Sequence, residues 1–488
     1  MVRPMGKKAR FIASVAALVV AALICHAPSR ADAAGRAATP AQSSQLDWNK
    51  LDAEALDYFR TYLNFDTSDP PDDTSAAIAY LDGILRKEGI ETRTFASKPG
   101  AVNLIARIPG PPGVKPMLLM SHADVVPVVA ANWSHPPFAA DLADGYIWAR
   151  GAIDNKAHGI MALMTMLALK RQGVALRRGL EMMVNAGEEV GGADGAGFMV
   201  ANHFDEIDPA FAFNEGGGGE RNWLHSTGVT FRVAVSEKRV MWLRLIAHGK
   251  SGHGSMPNPG NPTLILVRAL DRVIRRQPPI RITSIFDRAM TTIAPRMKFP
   301  ASFELAHLEI PPMLSLAMRG PLSDYQVQAL MRDTISPTVL SAGLKVNVIP
   351  STAEADLDCR LLPGTDSDEF LARIRDQLDD SRISIEYIQK PDEAPESPDS
   401  GEAWEAIEKT VARDFPGDPV VPLMTAGGTD SRFLRSREVP AYGFVPIVLD
   451  AEEMGRVHGV DERLSVENLN RGIRATYDLT MELCGPQS

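Results

Sequence analysis

Apolar residues recur every three or four positions in two segments, residues 51–63 and 75–88. This period matches one face of an α-helix, so both segments are predicted to be amphipathic surface helices. A third segment, residues 159–169, is apolar on nearly every side, which is typical of a helix that is buried in a core. The pattern therefore predicts two outer helices and one inner helix.

Short apolar runs stand between these helices, at residues 102–108, 117–120 and 180–184. Each run is bounded by Gly, Pro or charged residues, as buried strands tend to be. Strands that alternate with helices indicate an α/β fold with a doubly wound sheet.

The pattern changes after residue 232. Residues 240–246 alternate between apolar and polar positions like a half-exposed strand, and a helical stretch follows at 262–275. An irregular stretch is predicted at 281–321, and a further strand at 353–361. A segment rich in Pro and acidic residues at 391–398 reads as a linker. We therefore predict a first domain in two parts, 46–232 and 393–488, with a smaller α+β domain inserted at 233–392.

The N-terminus has the order of a bacterial secretory signal. Basic residues come first, an apolar run follows at 11–25, and small residues lead up to Ala33. We predict a signal peptide at 1–33, a linker at 34–45, and export to the periplasm or the medium. The apolar run is short for a membrane-spanning helix, which needs about 20 residues, but an uncleaved anchor stays open.

Composition narrows the class of protein. The 488 residues are 45% hydrophobic and 23% charged, as in a soluble globular enzyme, and the formal net charge is -10. A nucleic-acid partner is not expected, because nonspecific binding to phosphate needs a basic surface. Only Cys359 and Cys484 remain after the predicted signal, so a metal would have to bind His and carboxylates.

Candidate ligands follow the predicted strands, where open α/β sheets bind their ligands. His122 and Asp124 leave the strand at 117–120 on one face, as a zinc ligand and its orienting carboxylate or as a simple hydrogen-bonded pair. Asp154 precedes the buried helix, where a helix N-cap is an alternative. Glu188 and Glu189 are adjacent carboxylates, which are costly unless a cation or proton neutralises one, or unless they form a solvent-facing turn.

Eight motifs resemble, in order, those of the dinuclear zinc peptidase superfamily that contains carboxypeptidase S, aminoacylase, carboxypeptidase G and succinyl-diaminopimelate desuccinylase. They are HADVVP, RGAIDNK, NAGEEVGG, NEGGG, GKSGHGSMP, NVIPSTAEADLDCRLLPG, GGTDSR and VHGVDER. The insertion after residue 281 resembles the carboxypeptidase S and N-acyl-amino-acid hydrolase branch. The resemblance implies a zinc-peptidase catalytic domain and a smaller lid or dimerisation domain, and a homodimer through that domain stays open.

The resemblance also implies two Zn²⁺ ions, with Co²⁺ or Mn²⁺ as alternatives. The implied ligands are His122 and Glu215 on one ion, Glu189 and His458 on the other, and Asp154 bridging both. Glu188 matches the general base, and Asp124 would orient His122. Some relatives carry an aspartate ligand where Asn214 stands, so the choice between Asn214 and Glu215 stays open.

Further residues match positions that relatives use for substrate. His253 would stabilise the oxyanion, although the sequence alone favours a simple loop histidine. Asn347 and Arg360 would hold polar groups of the substrate, with a structural ion pair as the alternative for Arg360. The backbone of Gly427 and Gly428, together with Thr429, would bind the substrate carboxylate, because glycines permit a close backbone approach; Arg432 is a competing candidate.

We therefore expect hydrolysis of an amide or peptide bond next to a free carboxylate, in a small peptide or an N-acyl amino acid. The alternatives are a dipeptidase or aminopeptidase, and a catalytically inactive periplasmic relative that only binds peptides.

Overall fold

The computed structural model describes residues 46–392 and 394–486. The predicted signal peptide and linker lie outside this part of the chain and stay predictions. Within these two ranges, no helix combines the length and the apolar character that crossing a membrane requires.

The strands of the described residues are β1 (Glu91–Lys98), β2 (Ala101–Ile108), β3 (Met117–His122), β4 (Asp141–Ala143), β5 (Tyr146–Trp148), β6 (Leu180–Asn185), β7 (Phe211–Asn214), β8 (Gly218–Arg221), β9 (Val229–Glu237), β10 (Arg239–His248), β11 (Gly252–His253), β12 (Thr334–Ala342), β13 (Val348–Ile349), β14 (Thr352–Leu361), β15 (Ile383–Gln389), β16 (Val420–Thr425), β17 (Ala441–Gly443), β18 (Val448–Leu449) and β19 (Arg463–Ser465).

The α-helices of the same residues are α1 (Trp48–Leu63), α2 (Ser75–Lys87), α3 (Lys156–Gln172), α4 (Ala196–Asn202), α5 (Pro262–Arg275), α6 (Ser284–Ile293), α7 (Ala301–Leu305), α8 (Pro311–Ala317), α9 (Tyr325–Ala329), α10 (Ser367–Leu378), α11 (Glu402–Asp414), α12 (Ser431–Arg435), α13 (Ala451–Met454) and α14 (Val466–Cys484).

A large mixed sheet has the strand order β1-β2-β6-β3-β7-β17-β9-β8-β18, with β16 also paired to β9. Its central strand β3 is buried on both faces. Met117 and Leu119 join a core with α1, α3 and α14, while Leu118 and Met120 join a second core with α4 and α12. Helices therefore cover both faces, and the predicted doubly wound α/β fold is confirmed.

A separate four-stranded antiparallel sheet has the order β12-β14-β10-β15. Its strand β10 is buried at every second residue, and the buried side chains share a core with α5 and α10. The predicted alternation at 240–246 and the predicted helix at 262–275 are therefore confirmed. The sheet lies within the predicted insertion, whose exact boundaries and role as a lid stay predictions.

The stretch predicted to be irregular, 281–321, is in fact helical over much of its length, since it contains α6, α7 and α8. These helices form a core with Trp223, which stands in the turn between β8 and β9. Prolines at positions 300 and 311 interrupt this segment, so the helices are too short for a helical period to be recognised in the sequence. The prediction of an irregular stretch was therefore wrong.

Candidate metal centre

Three neighbouring strands bring acidic and histidine side chains to one edge of the large sheet. β3 is parallel to both β6 and β7. His122 is the last residue of β3, Glu188 and Glu189 follow β6, and Glu215 directly follows β7. Because the carboxyl ends of parallel strands meet at one edge, these side chains converge although they are far apart in the sequence.

Asp154 lies between the two histidines of the cluster. Its Oδ1 is 3.1 Å from Nε2 of His122, and its Oδ2 is 3.0 Å from Nε2 of His458. Glu215 Oε2 lies 3.3 Å from the same His122 nitrogen, and Glu189 Oε2 lies 3.1 Å from the same His458 nitrogen. The structure thus brings the five predicted ligands together, with one Asp154 oxygen on each side.

Glu188 stands at the edge of this cluster. Its carboxylate, a nitrogen of His122 and a carboxylate oxygen of Glu215 lie within 4.8 Å of one another. Burial raises the pKa of Glu188 well above its usual value, and the charge of Glu215 adds to this effect. A carboxylate in such a place takes up a proton readily, as a general base must.

The choice between Asn214 and Glu215 follows from their side chains. The amide of Asn214 is buried and donates to Ser431 Oγ at 3.2 Å, away from the histidines. Glu215 faces His122 and accepts a hydrogen bond from Asn155 Nδ2 at 2.7 Å. The structure therefore has Glu215 in the cluster.

Asp124 supports both halves of the cluster. Nδ1 of His122 lies 2.9 Å from the main-chain carbonyl of Asp124 and 3.6 Å from its side-chain Oδ1. A carbonyl only accepts, so Nδ1 carries a hydrogen toward Asp124, and Nε2 is the atom that would bind a cation. The other carboxylate oxygen of Asp124 accepts the main-chain N–H of Glu189 at 2.9 Å.

Sequence reasoning assigned no role to Glu462, which fixes the loop that carries Asp154. This fully buried carboxylate accepts the main-chain N–H groups of Gly151, Ile153 and Asp154 at 2.7 to 3.0 Å. Arg150 Nη1 donates to it at 2.6 Å. The only signal in the sequence was its place in an acid pair four residues after His458.

The electrostatics of the cluster call for positive charge. Burial opposes the charge of Asp154, but hydrogen bonds from the two histidines outweigh it and lower its pKa. Hydrogen bonds to Asp154 and Glu189 raise the pKa of His458 to about 10. Burial disfavours the charged form of His122, yet the carboxylates around it, Glu215 first, raise its pKa well above the usual value.

The protons on His122 and His458 lie where bound cations would balance the negative charge of the carboxylates. Imidazole nitrogens and carboxylate oxygens are the donors that Zn²⁺ and related divalent ions accept from proteins. The residues present therefore fit a pair of divalent cations.

A cavity of about 440 Å³ opens beside the cluster. Its lining includes the carboxylates of the cluster, His458 and the glycine run 216–219. A side chain on Gly217 would overlap the carbonyl oxygens of Arg232 and Gly443, so only glycine lets these backbones approach. The apolar lining residues are Ile153, Val445, Ile447, Leu449, Met454 and Val457.

The predicted substrate residues fall into two groups. Gly428 and Thr429 line the cavity, but the N–H of Thr429 already donates to the Glu237 carboxylate. His253 ends β11, and Asn347 directly precedes β13, the strand that pairs with it. Both residues are exposed, and neither is among the residues that line the cavity.

Arg360 is also outside the cavity lining. Its guanidinium binds both carboxylate oxygens of Asp358, at 2.6 and 3.0 Å. The structural ion pair is therefore the arrangement that this side chain adopts here.

Comparisons with known proteins agree with this geometry. The family model of "Peptidase family M20/M25/M40" matches residues 118–482. The aminoacylase-1 of Sus scrofa is 30% identical over 423 residues, which cover 85% of this chain and 91% of that protein. The N-fatty-acyl-amino acid synthase/hydrolase of Homo sapiens is 31% identical over 377 residues, 75% of this chain and 74% of that protein.

A solved structure, the M20 family metallo-carboxypeptidase from Sulfolobus solfataricus, shares the fold with a TM-score of 0.67 at 17% identity, over 88% of this chain and 99% of that one. The resemblance seen in the eight motifs is confirmed. The chain is therefore an enzyme of the metallopeptidase and amidohydrolase type, and it belongs to peptidase family M20/M25/M40.

Proposed function

We propose that this protein hydrolyses the amide bond of N-acyl amino acids and of short peptides with a free C-terminal carboxylate. The observation that carries the proposal is Asp154, with one carboxylate oxygen toward each of two histidines at the edge of a cavity. The names of two relatives, an aminoacylase and an N-fatty-acyl-amino acid hydrolase, support this substrate class.

His122 and Glu215 would hold one divalent cation, Glu189 and His458 the other, and Asp154 both. Zn²⁺ is our first choice, with Co²⁺ and Mn²⁺ as alternatives of the same donor preference. Two such cations supply, when bound, a water of lowered pKa and a polarised scissile carbonyl.

Glu188 moves the proton in this scheme. Its carboxylate takes a proton from the attacking water, whose oxygen forms the new bond to the acyl carbon. Glu188 then delivers the proton to the amide nitrogen as the carbon–nitrogen bond breaks, so that a carboxylic acid and a free amino acid leave. The position of Glu188, whose carboxylate lies within 4.8 Å of ligand atoms of His122 and Glu215, supports this role.

The rest of the cavity supports the orientation of the substrate. The apolar side chains at 445–457 offer a surface for the acyl group. Gly428, in the motif that relatives use for the substrate carboxylate, lines the same cavity. The buried side chains of Val445, Ile447 and Leu449 also limit the access of bulk water to the reacting bond.

The test is turnover of a panel of N-acyl amino acids and C-terminally free dipeptides by the zinc-loaded protein. The Glu188→Ala variant should keep its metal and lose activity by about 10² to 10⁴, the usual contribution of a general base. Glu309→Ala is the matched control, because the Glu309 side chain is 66% exposed in the insertion. No cleavage of any panel member by fully metallated wild type would contradict the proposed function.

A further inference from the structure

Arg432 stands in α12, in the motif that also contains the cavity residues Gly428 and Thr429. The sequence makes this arginine a candidate for binding the substrate carboxylate. In the structure, however, Arg432 is only 9% exposed, and it is not among the residues that line the cavity. Its guanidinium is therefore not presented to a substrate in the cavity.

The guanidinium of Arg432 is bound instead to main-chain carbonyls of two loops. Nη2 donates to Gly191 O at 2.6 Å, and Nη1 donates to Thr429 O at 3.1 Å. Nε lies 3.4 Å from Oδ2 of Asp392, and the guanidinium lies over the ring of Phe433, 4.5 Å from its centroid. Charged donors form strong hydrogen bonds, and the planar guanidinium holds its acceptors in fixed directions. Arg432 therefore fixes the loop of Gly191 relative to the cavity loop of Thr429.

Gly191 ends the short turn that carries the general base. Its N–H donates to Glu188 O at 2.8 Å, and the N–H of Gly192 donates to Gly187 O at 2.7 Å. A chain of two hydrogen bonds thus leads from Arg432 through Gly191 to the main chain of Glu188. Because the turn is so short, a shift of Gly191 moves Glu188 with it.

The start of α12 also packs directly against this turn. A Cβ atom on Gly192 would overlap Oδ1 of Asp430 and the ring of Phe433, so the two backbones approach closely. The other carboxylate oxygen of the buried Asp430 accepts a hydrogen bond from Asn185 Nδ2 at 2.9 Å, at the end of β6. The turn and α12 therefore pack as one unit.

We propose that Arg432 is a positioning residue for the general base, which holds the Glu188 turn where the carboxylate reaches the attacking water. The proposal rests on the proposed function, because it concerns the base of the same reaction. Reaction geometry is strict, since a misplacement of about 1 Å costs about 10²-fold in rate. Loss of Arg432 should therefore slow the chemical step and leave the binding of substrate nearly unchanged.

The first test is the Arg432→Ala variant, measured with the N-acyl amino acid that wild type cleaves best. Its kcat should fall about 10- to 100-fold, while KM and the metal content stay within about twofold of wild type. Arg437→Ala is the matched control and should keep the wild-type kcat. Arg437 is an exposed arginine just after α12, and its Nη2 donates to a main-chain carbonyl away from the turn, Val200 O, at 3.3 Å.

Three kinetic results would overturn the proposal. The first is an unchanged kcat with an unchanged KM. The second is an unchanged kcat with a raised KM, which is the result expected if Arg432 binds the substrate carboxylate. The third is a fall in kcat that loss of metal accounts for in full.

A second measurement does not depend on turnover. Hydrogen exchange of the metal-free protein, read by mass spectrometry on peptides that cover residues 187–192, reports the opening of the turn. Exchange there should be at least about tenfold faster in Arg432→Ala than in wild type or Arg437→Ala, because a hydrogen bond from a charged group is lost. Equal rates in all three proteins would contradict the proposal.

A conservative variant decides the case in which Arg432→Ala does not fold. Arg432→Lys keeps the charge, but a single ammonium does not reproduce the fork that binds both carbonyls. Its kcat should lie below that of wild type, and exchange at 187–192 should be faster. Wild-type values of both quantities in Arg432→Lys would overturn the proposal.

The two proposals fail in different ways. If metallated wild type cleaves no N-acyl amino acid and no peptide, the proposed function fails, whereas hydrogen exchange still decides whether Arg432 holds the turn. If wild type is active and Arg432→Ala keeps its kcat, the hydrolase proposal stands and the positioning proposal is wrong.

Discussion

At the scale of single residues, two histidines of this protein differ in what their surroundings let them do. His122 and His158 are both 1% exposed. Nε2 of His122 faces the carboxylates of Asp154 and Glu215, whereas Nδ1 of His158 has no hydrogen-bond partner within residues 46–392 and 394–486. Burial lowers the pKa of His158 to about 4, so this imidazole stays neutral. Of these two histidines, which share residue type and burial, only His122 has the contacts that suit it to bind a cation.

A pair of alanine variants tests this difference. His122→Ala should lose the cation that it shares with Glu215 and should have no measurable turnover. His158→Ala should keep the full metal content and lose about 1 to 3 kcal/mol of unfolding free energy, as is usual for a truncated buried side chain. Metal analysis after desalting and urea unfolding of the metal-free proteins measure both effects. Loss of metal from His158→Ala would contradict this assignment.

Glu462 provides a second prediction for a single residue. Glu462→Gln leaves Arg150 without its carboxylate and weakens the acceptor for three N–H groups of the Asp154 loop. We expect metal affinity to fall about 10- to 100-fold, as for other residues that orient ligands. Competition with a chelator measures the affinity, and Glu467→Gln, at an 80% exposed side chain, is the control. Equal affinities in both variants would show that Glu462 does not position the loop.

The candidate ligands were predictable because each follows a strand or belongs to a distinctive motif. Burial of Glu462 was not predictable, because Arg150 and the Asp154 loop reach it from more than 300 positions away in the sequence. The pairing of Arg360 with Asp358 was within reach, since residues two apart on a strand share a face.

At the scale of elements, Lys238 is the one residue between β9 of the large sheet and β10 of the small sheet. Its buried Nζ lies within hydrogen-bonding distance, 2.9 to 3.1 Å, of Ala329 O, Arg332 O and Thr334 Oγ1. Its main-chain N–H donates to Thr425 O at 3.0 Å, next to the cavity. This short connection therefore fixes the small sheet, the insertion and the cavity loop to one another.

Lys238 also predicts a pH dependence. Burial lowers its pKa from 10.5 to about 7, so folding disfavours protonation of this amine. Its contribution to stability is fully present above pH 10.5 and is lost as the pH falls through about 7. Between these values, the unfolding free energy of wild type should fall with decreasing pH more steeply than that of Lys238→Met.

Urea unfolding at a series of pH values measures the two slopes. Lys345→Met is the matched control, because Lys345 is exposed on the hairpin before β13, and it should keep the wild-type slope. Parallel curves for wild type and Lys238→Met would contradict the lowered pKa.

Helices could be predicted from the sequence where the helix was long enough to show its hydrophobic period. α5 has 14 residues, a strongly amphipathic pattern, an Asn261 cap and a proline in its first turn, so its bounds could be read from the sequence. α7 and α8 have only five and seven residues, less than the length over which a helical period becomes visible. They are stabilised by a non-local core around Trp223, which no local pattern reveals.

At the scale of the whole molecule, the metal cluster and the predicted oxyanion residue belong to different sheets. The cluster stands at the edge of the large sheet, while His253 is exposed on the ribbon next to the small sheet. For His253 to stabilise an oxyanion, either the small sheet must close over the cavity or a second copy of the chain must supply the residue. The second route corresponds to the homodimer that the sequence left open.

A mixing experiment separates these two routes. His253→Ala should lower kcat by about 10²-fold or more with unchanged metal content, as does the loss of an oxyanion donor elsewhere. Glu188→Ala is inactive for a different reason, because it lacks the base. If a second copy supplies His253, dissociating and reassociating the two variants together should restore part of the activity, since mixed dimers contain one complete site. If the small sheet closes within one chain, every chain in the mixture still lacks one group and the activity stays low. Full activity of His253→Ala alone would remove His253 from the reaction by either route.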